Sequence, residues 1–169
     1  MQGRSAEAYE RYALASNRGT SNLATYRSIV RKYPEHDPSR ILRDLVAATP
    51  GEEGKWFATA KDAGDLELAA RLANQSPCDP KTLTRAARDF VETNPHFALQ
   101  AGFAAIRWLA EGYGFEIIGA DVWAAYSHTL KAAEKIGRRD EVRERIRTLV
   151  ANKGFVAQVL GKELEVSTR

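Results

Sequence analysis

The chain has 169 residues, 44% of them hydrophobic, 25 Lys and Arg against 22 Asp and Glu, and one cysteine. That length suits one domain burying roughly 70% of the surface its unfolded chain exposes, and the composition excludes a disordered or low-complexity chain. No apolar run approaches the roughly 18 residues of a membrane span, no signal-peptide core follows Met1, and Cys78 alone can build neither a disulfide nor a cysteine metal cluster, so the expectation is a cytoplasmic protein with no membrane contact and no cofactor.

Alanine fills 27 positions and apolar residues recur at spacings of three and four, the period of a helix and not the alternation of a strand. In chain order, helices are predicted over 5–17, 21–33, 38–48, 50–63, 65–75, 80–93, 95–111, 119–136, 139–151 and 153–163. The first opens without a polar capping segment. It therefore reads as an edge for self-association, or as a sign that the chain is the C-terminal part of a longer repeat array. Asp37-Pro38, Asp79-Pro80 and Asn94-Pro95 each place an N-cap residue before a proline, which occupies the first turn without losing a hydrogen bond. Thr49-Pro50-Gly51-Glu52 has the spacing of a capping box, so Thr49 is expected to cap the helix over 50–63. The longest loop, Glu111 to Ile118, is expected to start with Gly112 ending a helix and Gly114 permitting a turn. It carries Tyr113 and Phe115 as candidate partner contacts. Trp56, Phe57, Phe90, Trp108, Trp123 and Tyr126 are predicted to lie buried between helices.

About ten short helices on short connections cannot share one four-helix core, and sequential neighbours should pack antiparallel. The predicted fold is all-α, a stack of antiparallel helical hairpins forming one domain over 1–169. Within it, Arg40-Ile41-Leu42-Arg43-Asp44-Leu45-Val46-Ala47-Ala48-Thr49-Pro50 recurs 45 residues later as Arg85-Ala86-Ala87-Arg88-Asp89-Phe90-Val91-Glu92-Thr93-Asn94-Pro95. This self-similarity resembles HEAT-like or armadillo-like repeats. The stretch Trp56-Phe57-Ala58-Thr59-Ala60-Lys61-Asp62-Ala63-Gly64-Asp65-Leu66-Glu67-Leu68-Ala69 resembles the inter-helix region of a tetratricopeptide repeat, as does Tyr9/Tyr12/Ala13 followed by Tyr26 and Pro34. That family's regular period is missing here. The resemblance implies an α-solenoid architecture and a role in macromolecular binding.

No residue set specifies a reaction. His36, His96 and His128 are not at metal-ligand spacing, Cys78 has no histidine near it in sequence, and Gly112-Tyr113-Gly114 lacks the strand and lysine of a phosphate loop. The expected function is non-catalytic binding of a protein or peptide. Arg40 with Arg43 and Arg85 with Arg88 share helix faces, so stacked repeats would align four guanidinium groups able to grip carboxylates or phosphates. The competing reading pairs Arg40 with Asp44 and Arg85 with Asp89. An alternative function is nucleic-acid binding through Arg138, Arg139, Arg143, Arg145, Arg147 and Lys153, although Asp140, Glu141 and Glu144 interrupt that run. An enzyme assembled from distant helices is a weaker alternative.

Overall fold

The computed structural model describes residues 4, 7–13 and 19–165. Of these, 75% are helical and none is in a strand, so the protein is all-α, with its helices packed on their neighbours. The chain forms two compact units, Met1–Ser76 and Pro77–Arg169. No helix among the described residues is long and apolar enough to cross a membrane.

The first unit holds a π-helical turn, Tyr9–Ala13, then α1 (Asn22–Lys32), α2 (Pro38–Ala47), a 3₁₀ turn (Glu53–Trp56), α3 (Phe57–Asp62) and α4 (Leu66–Gln75). The helix expected over 5–17 lies partly outside the described residues. Within it, buried Tyr9 stacks on His36 at 4.3 Å, meets the Tyr33 ring edge-on at 5.5 Å, and donates from its hydroxyl to Asp44 Oδ2 at 2.6 Å. The Asp37 cap of α2 forms as expected, its carboxylate accepting from the Ser39 and Arg40 amides.

Thr49 caps no helix. Gly51 sits at φ +86° and the Glu52 amide donates to the Thr49 carbonyl at 3.1 Å, which makes Thr49-Pro50-Gly51-Glu52 a type II turn. The Thr49 hydroxyl donates back to the carbonyls of α2 and accepts from Trp56 Nε1 at 2.7 Å. The predicted helix over 50–63 is therefore a turn, the 3₁₀ segment and the short α3. Trp56 and Phe57 are buried as expected, and the Gly54 amide donates to the buried Ser76 hydroxyl at 2.8 Å, fastening the 3₁₀ turn to the end of α4.

The second unit contains α5 (Pro80–Phe90), α6 (Pro95–Ala110), α7 (Gly119–Lys135), α8 (Arg139–Val150) and α9 (Gly154–Leu164). Helix α6 is central, packed against α5, α7, α8 and α9. Its buried Ala98, Ala101, Gly102, Ala104 and Ala105 give it a slim surface. Asp79 caps α5, accepting from the Thr82 amide at 3.0 Å, and Asn94 caps α6, accepting from the Phe97 amide at 3.0 Å. The loop before α7 runs as expected, with Gly112 at φ +87° and Gly114 at φ +110°.

Trp108 and Tyr126 are buried and Phe90 is half-buried. Trp123 departs from expectation at 40% exposure. The inward seam of α7 runs through Val122, Ala125, Tyr126, Thr129 and Leu130, which leaves Trp123 at its edge, its ring meeting Tyr126 edge-on at 5.7 Å.

Candidate anion-binding groove

Helices α5 and α7 of the second unit leave a groove of about 280 Å³ between them. The α5 wall presents Lys81, Thr84, Arg85 and Arg88, residues that share a face because they fall at helical spacing from one another. The α7 wall presents Asp121, Ala124 and His128, and Leu109 of α6 contributes apolar surface. The Asp79 cap and Pro80 fix where α5 begins, and so set the height at which its cations enter the groove.

The polar groups are arranged asymmetrically. Lys81 Nζ donates to the Glu116 carbonyl at 3.2 Å and lies 3.7 Å from Asp121 Oδ2. The same Asp121 oxygen accepts from the Ile118 amide at 2.9 Å, so the acidic lining residue is already neutralised on two sides. Arg85 donates one guanidinium N–H to Thr82 Oγ1 at 3.0 Å, and Arg88 donates its Nε–H to Asp89 Oδ1 at 2.8 Å. Each contact uses part of a guanidinium fork and leaves the group ionised at the groove. Burial holds His128 below the ordinary histidine value, Arg88 and Lys131 push the same way, and Asp89 opposes them. His128 therefore holds a proton less readily than an ordinary histidine.

The groove unites two of the sequence candidates, Arg85 and Arg88, with Lys81, Thr84 and His128, none of which sequence reasoning selected. The signal was present in the spacing of Lys81, Arg85 and Arg88. Arg40 and Arg43 belong to α2 of the first unit, where Arg40 lies 3.8 Å from Asp44 and Arg43 lies 3.9 Å from Asp37. Asp44 also accepts from Tyr9, which ties Arg40 into the packing of that unit. On the loop both candidates are exposed, Phe115 at 77% and Tyr113 at 43%, the Tyr113 ring also meeting Trp108 edge-on at 5.3 Å.

The other chemically capable groups are quieter. At and along α8, Arg138 before its first turn pairs with Glu141, Arg147 pairs with Glu144 and Arg139 with Glu134, Arg143 donates to the Glu163 carbonyl, and Arg145 lies over the Phe103 ring at 4.6 Å. Cys78 is buried, and burial with the nearby Asp79 pushes its thiol up to about 12, which removes the thiolate needed of a nucleophile. His96 is exposed in the first turn of α6, and His36 is enclosed between Tyr9 and Tyr33. Among the described residues, no group of three or more His, Cys, Asp and Glu side chains could hold a metal ion. No protein-family model, curated protein sequence or solved structure matches the chain.

Proposed function

We propose that this chain is a non-catalytic binding module of helical-repeat type, which takes an acidic segment of a protein or peptide partner in the α5/α7 groove. The observation that carries the reading is the row of Lys81, Arg85 and Arg88 along one wall, opposite a single carboxylate already engaged by Lys81 and the Ile118 amide. Arginine forks match carboxylate geometry, and exposed cations in a groove raise the encounter rate with acidic segments. Support for the repeat reading comes from α2 and α5, which carry the two self-similar segments and both begin with an Asp cap followed by proline. We place the protein in the cytoplasm on its one free, buried cysteine.

The test is binding of an acidic peptide library to the whole chain across a salt series. Capture that falls with salt and is lost on Arg85→Ala with Arg88→Ala is the expected result. Capture indifferent to that double substitution removes the groove, and loss on Arg40→Ala with Arg43→Ala instead moves the site to α2. Nucleic-acid binding through α8 would show a steep salt slope and sensitivity to Arg138 and Arg147. The carboxylates already paired with those arginines argue against it.

A further inference from the structure

We infer that the α5/α7 groove is built for a phosphate monoester dianion, presented either on a phosphorylated side chain of the partner or as free phosphate. The inference rests on the binding reading above and names the group the groove would hold. Three cations on successive turns of one helix face a space whose only acidic lining group, Asp121, is held by Lys81 and by the Ile118 amide. Asp89 takes the Nε–H of Arg88 and Thr82 one N–H of Arg85, and a single carboxylate in the groove would meet the remaining donors of only one of the two forks. A tetrahedral dianion has oxygens for both Arg85 and Arg88, and the Thr84 hydroxyl on the same wall is a further donor. The small Ala124 opposite leaves room for such a group. At about 280 Å³ the groove has room for a phosphate group and the side chain that carries it.

His128, on the far wall, supplies an internal reporter. The charged groups acting on it are Arg88 and Asp89 from α5 and Lys131 from its own helix, while α6 offers the groove only apolar Leu109. Asp89 already favours the imidazolium, and a dianion in the groove adds to that effect. Binding therefore raises the pH at which His128 takes up its proton, and by linkage protonated His128 favours the dianion.

The experiment follows the three histidine ring signals of the whole chain by NMR through pH titrations at matched ionic strength. The probes are inorganic phosphate, a short phosphoserine peptide, and the same peptide with Glu in place of phosphoserine. The His128 midpoint is expected to rise by roughly half a pH unit or more with either phosphate probe, while His36 and His96 stay in place. Arg85→Gln with Arg88→Gln should weaken phosphate binding by about tenfold or more, and Arg139→Gln, outside the groove, should not. Tighter binding of the phosphopeptide than of inorganic phosphate assigns the source to the partner, and equal binding assigns it to free phosphate; both support the phosphate site. Phosphate binding with neither peptide bound keeps the site and removes the peptide reading. A Glu peptide that binds as tightly as the phosphopeptide overturns the phosphate inference and leaves the binding module standing. No binding by any probe overturns both. Should the double variant fail to fold, a His128 midpoint that phosphate does not move in the unsubstituted protein is sufficient to sink the inference.

Discussion

A Cβ built at Gly102 would lie 2.2 Å from Thr129 Oγ1 and 3.2 Å from Thr129 Cα, so the close approach of α6 and α7 depends on one missing methyl group. Thr129 is fully buried with its hydroxyl donating to the Ala125 carbonyl at 2.6 Å, so it cannot yield cheaply. Gly102→Ala should destabilise the fold by about 1–3 kcal/mol in denaturant unfolding. Thr129→Ala made with it should recover part of the loss, because the hydroxyl contact disappears while the backbone contact stays. Trp108 illustrates the opposite error of volume. It is 4% exposed, with the Arg107 guanidinium 4.4 Å above its ring, and Trp108→Ala should cost roughly 3–5 kcal/mol by leaving a cavity. Cys78 makes a pH prediction. Its folded thiol titrates near 12 against an ordinary value of 9.0, so its contribution to stability is intact below pH 9 and is lost as pH rises toward 12, where only the unfolded state ionises freely. Thiol reagents should accordingly label Cys78 at neutral pH only after denaturation. Rapid labelling of the native protein would contradict its burial.

At the scale of elements, two cap-proline sequences of the same appearance behave differently. Asp79-Pro80 opens α5 because the residues after the proline carry helix on, and the carboxylate reaches the Thr82 amide. Thr49-Pro50 is followed by Gly51, whose left-handed backbone completes a turn before a helix can start. Asp79→Ala should lower stability by about 1 kcal/mol through the lost cap. Thr49→Val should cost about 1–3 kcal/mol for another reason, since it strands the indole N–H of buried Trp56 without an acceptor. Thr49→Ser, which keeps the hydroxyl and drops the methyl, should retain most of the stability, which assigns the loss in Thr49→Val to the indole's hydrogen bond.

At the scale of the whole molecule, the charged residues of the second unit divide between exposed ion pairs and the groove wall. Lys131 and Lys135 meet Glu92, and Arg138, Arg139 and Arg147 are matched to Glu141, Glu134 and Glu144. Exposed pairs of this kind contribute little. Arg85→Ala with Arg88→Ala should therefore leave the thermal midpoint and the helical circular dichroism unchanged while abolishing capture of an anionic partner. Unfolding of the double variant would mean that these arginines serve the fold.

Helix positions were legible in the sequence because the evidence for them is local: a period of three to four, an Asp or Asn before proline, and a glycine after the last turn. Asp37, Asp79 and Asn94 cap the helices that this reasoning assigned to them, and the loop after α6 falls where Gly112 and Gly114 announced it. The Pro50-Gly51 turn was also written in the chain, but it competed with a capping-box pattern of equal length, and the bond from Trp56 to Thr49 exists only once the turn has formed. Which aromatic rings are covered depends on which neighbours α7 meets, and so Trp123 at the edge of its seam could not be separated from Tyr126 within it by periodicity. The groove lies furthest from local reading. Lys81 to Arg88 share a face by helical geometry, but their meeting with Asp121 and His128, 33 or more residues later in the chain, was decided by the packing of α5, α6 and α7, because only long-range burial of apolar faces brings separate helices side by side.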